Sequence, residues 1–136
     1  MVKKIEWSDE FMLGIPEIDM QHRSLVNSLN KLVEKYDTNP GEIKEMLDFL
    51  VDYVLLHFET EETLMEKYAY PDMDEHVKEH RAFTKDLNKL MDDFIMLGPS
   101  PEMEKRIEKG LVSWIENHIM NVDKKMGKYL KEKMGP

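Results

Sequence analysis

The sequence predicts an all-α protein: an antiparallel up-down-up-down four-helix bundle preceded by an extended N-terminal arm. Three observations predict it. Apolar residues recur in alternating steps of three and four over four long stretches. Helix formers fill those stretches, while Gly and Pro gather in short breaks between them. The breaks are brief, which favours antiparallel neighbours.

Residues 1–16 hold Trp7 and end in Gly14 and Pro16, so they read as the arm. The first helix, about 17–38, carries the inward stripe Ile15, Ile18, His22, Leu25, Leu29, Leu32 and Tyr36. Thr38-Asn39-Pro40-Gly41 is a turn. The second helix, about 41–68, has the stripe Ile43, Leu47, Leu50, Val54, His57, Glu61, Leu64 and Tyr68. Tyr70-Pro71-Asp72 breaks the chain again. The third helix, about 72–97, lines up Met73, His76, His80, Phe83, Leu87, Leu90, Phe94 and Leu97. Gly98-Pro99-Ser100-Pro101 precedes a fourth helix, about 101–133, with Ile107, Leu111, Trp114 and His118 inward. No linker or internal repeat interrupts the pattern, so residues 1–136 are expected to form one domain.

In the fourth helix the stripe slips. After His118 the next inward set is Asp123, Met126 and Leu130, a first step of five. Five residues of regular helix overshoot a full turn by about 140°, which would aim Asp123 away from His118. A π-type insertion between them would restore the facing, and such bulges are frequent at functional sites.

Composition narrows the chemistry. There is no cysteine, so disulfides, thiolate metal sites and cysteine nucleophiles are excluded, and any metal must be held by His and carboxylate. The 28 acidic against 19 basic side chains give a net charge of −9, which argues against nucleic-acid or anionic-membrane partners. The twelve methionines are best read as core filling. Met1 to Asp9 lacks the apolar run of a signal peptide, and no stretch is apolar enough to span a membrane. The expected location is the cytoplasm.

All five histidines fall on inward stripes, as does Glu61. Polar groups on a core stripe each cost a few kcal/mol unless satisfied. In an up-down-up-down bundle, the start of the first helix, the end of the second, the start of the third and the later part of the fourth share one end. His22, His57, Glu61, His76, His80, His118 and Asp123 therefore gather in one layer. His57–Glu61 and His76–His80 are i, i+4 pairs, each projecting from one helix face. A lone histidine on an apolar stripe is more often a hydrogen-bonded core residue than a ligand. Five at one level with two carboxylates is a different matter. Glu59, Glu62 and Glu66 read as the solvated face of the second helix.

Imidazole with carboxylate suits iron, and also zinc, copper or manganese. Seven ligands are too many for one tetrahedral metal. They suit two six-coordinate metals if both carboxylates bridge, and a solvent-derived oxygen bridge then leaves one position open for a small molecule.

At this point the chain resembles the hemerythrins of the bacterial single-domain type, over nearly its whole length. The resemblance rests on His22 after Ile18-Asp19, His57-x-x-x-Glu61, His76-x-x-x-His80 and His118-x-x-x-x-Asp123, with Trp7 in the arm. It implies two unequal non-haem irons, oxo- or hydroxo-bridged. One would be bound by His76, His80 and His118, and the other by His22 and His57, with Glu61 and Asp123 bridging. In that family dioxygen binds at the open iron and is held as a hydroperoxide. Leu25, Phe58, Trp114 and Ile115 flank the ligands and resemble the apolar lining of the family's O2 pocket.

The expected function is reversible dioxygen binding, for carriage, storage or delivery, with no catalytic residue and no enzyme activity. Azide and nitric oxide are further small ligands that the resemblance admits; the sequence names no protein recipient of O2. The competing readings are an oxygen sensor or scavenger and a di-iron oxidase, peroxidase or ferroxidase. Di-iron oxygenases and ferritins use mostly carboxylates with Glu-x-x-His pairs. This site has none, and five neutral imidazoles favour the ferrous state.

Overall fold

The computed structural model describes residues 4–36 and 39–135. Among the described residues the long helices are α1 (Pro16–Lys35), α2 (Pro40–Lys67), α3 (Met73–Leu97) and α4, which runs from Pro101 to Met134, and the arm holds one short 3-10 turn, Asp9–Phe11. Thr38, part of the first expected turn, lies outside the described residues.

Local chemistry starts and stops these helices. Proline stands at the first position of α1, α2 and α4, where its missing N–H is not needed. Ser100 caps α4, its hydroxyl accepting from the Met103 amide at 3.0 Å. Gly98 ends α3 with φ +71°, and its N–H donates to Phe94 O at 2.8 Å.

The helices alternate in direction. His22 near the start of α1 and His76 near the start of α3 both meet Glu61 near the end of α2. His80 meets His118, in the later part of α4. At the opposite end, the Tyr36 hydroxyl donates to Ser100 O at 3.1 Å, joining the end of α1 to the start of α4.

The arm is tied down by named bonds. Asn30 pairs with the Ile5 backbone through both its amide nitrogen and its amide oxygen, each at 2.8 Å. The Asp19 carboxylate accepts from the Leu13 and Gly14 amides at 2.7 and 3.0 Å. Trp7 stacks on Phe11, and the Arg23 guanidinium lies over the Trp7 ring. Leu13 then packs directly on Gly127 of α4.

Two apolar clusters fill the interior. The larger runs along the bundle and includes Leu25, Leu29, Leu47, Leu50, Phe83 and Leu111. The smaller closes one end with Leu13, Ile15, Ile18, Met65, Tyr70, Met126 and Leu130. The buried polar residues come between the two groups along the stripes: on α1, His22 falls between Ile18 and Leu25.

Five stripe positions differ from expectation: Leu64, Tyr68, Met73 and Trp114 are only half-buried, and Leu97 is exposed. On α2, Met65 is fully buried. Leu97, the last residue of α3, is 73 % exposed, and Met103 of α4 is buried instead.

The slip in α4 takes the expected form. Residues His118–Asp123 are π-helical, between Ser113–Asn117 and Lys124–Met134. A second π-helical stretch, Glu108–Val112, was not foreseen: Ile107 and Leu111 already keep helical spacing, and nothing in the stripe calls for it.

Candidate metal centre

His22, His57, Glu61, His76, His80, His118 and Asp123 are all buried, and the fold brings all seven together. They fall into two sets able to hold a cation. One is Glu61, His76, His80, His118 and Asp123; the other is His22, His57, Glu61 and Asp123. Both carboxylates belong to both sets.

The carboxylate oxygens divide accordingly. Glu61 Oε1 faces His76 Nε2 at 3.2 Å and His80 Nε2 at 3.1 Å. Its Oε2 faces His57 Nε2 at 3.0 Å and His22 Nε2 at 3.5 Å. Asp123 Oδ1 lies 3.1 Å from the Nε2 atoms of both His76 and His118. Its Oδ2 lies 3.0 Å from His22 Nε2 and 4.0 Å from His57 Nε2. Each carboxylate thus turns one oxygen toward two histidines of the first set and the other toward the two of the second.

The π-helical turn explains how α4 supplies both His118 and Asp123 to one layer despite their five-residue spacing. On α2, ordinary helical spacing does the same for His57 and Glu61.

Tautomers are fixed from outside the layer. His57 Nδ1–H donates to Gln21 Oε1 at 2.7 Å. The Gln21 amide is held by its own donation to Thr60 Oγ1 at 3.1 Å, and Thr60 donates to Leu56 O. His80 Nδ1–H donates to Glu62 at 2.9 Å, and His118 Nδ1–H to Glu79 at 3.3 Å. With the proton on Nδ1, the Nε2 lone pairs of these three rings point into the layer. Glu62 is therefore more than part of a solvated face: half-buried, it anchors a ring of the layer. Glu79, Gln21 and Thr60 were not singled out in the sequence, because their partners lie on other helices or are themselves site residues.

The donor set fits a metal. Five buried side-chain atoms have no hydrogen-bond partner among the described residues: His22 Nδ1, His57 Nε2, Glu61 Oε2, His76 Nδ1 and Asp123 Oδ1. His57 Nε2 and Glu61 Oε2 lie only 3.0 Å apart, yet are not aligned to bond to each other. Three of these, His57 Nε2, Glu61 Oε2 and Asp123 Oδ1, face the layer; lone pairs that converge without pairing are what a cation requires, and leaving them unsatisfied in a core is costly.

Electrostatics agree. Burial, the largest influence, disfavours ionisation of Glu61 and Asp123, and for Glu61 the charge of Asp123 adds to it. The surrounding imidazoles outweigh this and hold both carboxyls well below the usual carboxylate range. Burial likewise opposes charge on the histidines, but the two carboxylates prevail. They raise His22, lift His57 to about 10 and lift His76 to about 9. Protons and metal cations therefore compete for the same positions.

Aromatic rings wall the layer. Phe58 stacks on His80 with centroids 3.7 Å apart, and Trp114 stacks on His118 at 4.4 Å. Phe83 stacks in turn on Trp114 at 3.8 Å. Phe58 also lies 6.2 Å from the His57 ring, so it touches both halves. Leu25 and Ile115 are buried in the same apolar cluster, with Trp114 packed against it.

A family profile described as "Hemerythrin HHE cation binding domain" matches residues 13–130. A bacteriohemerythrin of Pseudomonas aeruginosa is 38 % identical over 122 residues, covering 86 % of this chain and 75 % of the relative. One from Methylococcus capsulatus is 34 % identical over 119 residues, covering 87 % of this chain and 89 % of the relative. Among solved structures, wild-type hemerythrin superposes with a TM-score of 0.79 at 33 % identity, covering 93 % of this chain and 97 % of the other. The fold, the buried His/Glu/Asp cluster and these likenesses agree: the chain belongs to the hemerythrin family.

Proposed function

We propose that the protein binds dioxygen reversibly at a non-haem di-iron centre, as a carrier, store or delivery protein rather than an enzyme. The division of the carboxylate oxygens carries this reading. Each of Glu61 and Asp123 presents one oxygen to each of two centres. His76, His80 and His118 complete one centre and His22 and His57 the other. The second centre has one protein ligand fewer, which leaves room there for a small ligand. Family membership supports iron as the metal.

Bound ferrous iron would supply the electrons that make O2 binding favourable. The chain's residues do the rest. Five imidazoles keep the centre's ligands mostly neutral, which favours the reduced state, and the site has no Glu-x-x-His pair of the oxidase type. Leu25, Phe58, Trp114 and Ile115 offer apolar walls that exclude water and anions, which favours release of O2 unchanged. Azide and nitric oxide are expected to compete for the same position.

The test is optical. The iron-loaded protein is reduced without air and then exposed to O2. A charge-transfer band that appears with O2 and disappears when O2 is removed supports reversible binding. Direct oxidation with no reversible band rejects it in favour of a sensor, scavenger or oxidase. Turnover with reductant and peroxide would favour the enzyme reading specifically.

A further inference from the structure

The two halves of the centre are backed by groups of different charge. In the three-histidine half, His80 and His118 donate their outer N–H to carboxylates, Glu62 and Glu79. In the two-histidine half, His57 donates to the neutral amide of Gln21, and the outer nitrogen of His22 has no partner among the described residues. A carboxylate that accepts from the outer N–H of an imidazole makes the ring a more basic ligand; an amide does so much less. Gln21 cannot be reversed in place, because its NH2 is committed to Thr60, whose own hydroxyl is committed to Leu56 O.

We propose that Glu62 and Glu79, against Gln21, are positioning residues that set which metal is oxidised first. A metal held by His76, His80 and His118 would be the easier of the two to oxidise, and one held by His22 and His57 would be the harder. This inference rests on the di-iron reading above. It assigns to carboxylates outside the ligand set a role that the ligands alone do not provide. In the one-electron step a single electron leaves the di-ferrous protein for an external oxidant such as ferricyanide, and no bond to the protein breaks.

The geometry also ranks the two carboxylates. Glu62 is closer to its ring, at 2.9 Å against 3.3 Å, and less exposed, at 35 % against 47 %. Solvent screening weakens the partner with the longer, wetter contact. Glu62 is the stronger of the two.

The experiment is a stepwise redox titration of the iron-loaded protein and four variants, with ferricyanide as oxidant. In Glu62→Gln the equilibrium constant of the first oxidation falls by about tenfold, the low end of what outer partners of metal ligands contribute. Glu79→Gln lowers it by less. Gln21→Glu eases the second oxidation more than the first. Glu66→Gln removes a charge from an exposed position of the same helix as Glu62 and shifts both steps alike and only slightly. The proposal is overturned if Glu62→Gln matches Glu66→Gln, or if all variants move both steps equally, as a bulk charge effect would. Iron content is measured in parallel. A protein that binds two irons but lacks the pattern refutes only this inference, whereas one that cannot bind two irons refutes the di-iron reading itself.

Discussion

His80 and His118 bring their Nε2 atoms to 3.2 Å of each other, while the outer nitrogen of each ring faces a carboxylate, Glu62 for one and Glu79 for the other. Two lone pairs so placed repel unless positive charge lies near both. The layer is therefore stable only when charge is supplied, by protons or by metal.

Metal binding should stabilise the fold strongly. A ligand present at about a thousand times its dissociation constant adds about 4 kcal/mol. Stripping the protein with a chelator is expected to lower its melting temperature by several degrees or more, and restoring iron to recover it. Equal melting curves with and without chelator would contradict the assignment of these residues to a metal.

After stripping, the protein should become sensitive to alkali. His57 and His76 are raised from about 6.5 in the unfolded chain to about 10 and about 9 in the fold. Their contribution is complete below the unfolded value and is lost as pH rises through the folded values. Glu61 and Asp123, held low, act oppositely: their contribution is present above the unfolded value and is lost as pH falls through the depressed ones. The melting temperature of stripped protein should fall between about pH 6.5 and 10. Loaded protein should show a smaller fall, since metal has replaced the protons. A flat profile for stripped protein would refute the charged pairs.

Gln21→Leu removes the acceptor for His57 Nδ1–H and leaves that donor buried. The expected loss is about 10–100-fold in affinity for one metal of the pair. Titration with iron should then resolve one tight and one weak equivalent. Two equally tight equivalents would show that the Gln21 contact has no effect on the metal.

Ile115→Ala opens the apolar wall near the centre, and faster autoxidation of the O2-bound form is expected. Stopped-flow decay of the charge-transfer band measures it. An unchanged rate would leave Ile115 with a packing role alone.

Two glycines of α4 should respond in opposite ways to alanine. At Gly110 an added Cβ meets nothing within 4 Å, so Gly110→Ala should stabilise by about 0.5–1 kcal/mol. At Gly127 the Cβ would come within 2.9 Å of Leu13 Cβ. Gly127→Ala should cost about 1–3 kcal/mol and loosen the arm. Chemical denaturation of both variants checks the pair.

Much of this molecule could be read from its residues, and the reasons are physical. Spacing on a helix is nearly deterministic, so the stripes placed His22, His57, Glu61, His76, His80 and His118 in one layer before any fold was known. The five-residue step to Asp123 was legible for the same reason, because a regular helix could not close it. The partners of the rings were harder. Glu62 and Glu79 sit on faces that periodicity assigns to solvent, and only the packing of α2 against α3 and of α3 against α4 turns them toward imidazoles. The role of Asp19 in holding Leu13 and Gly14 was likewise hidden, since it depends on how the arm folds back. The second π-helical stretch, at Glu108–Val112, left no trace in the stripe at all.

The π-helical turn at His118–Asp123 also bears on descent. Removing one residue between those two would return α4 to regular helix with the spacing of His57 and Glu61, and would keep every ligand. The widened turn instead holds Ile119, itself fully buried, directly after His118. A one-codon insertion suffices to create such a turn, and a one-codon deletion to erase it. At this point the reading frame of the helix, more than any substitution, separates this centre from a plainer one.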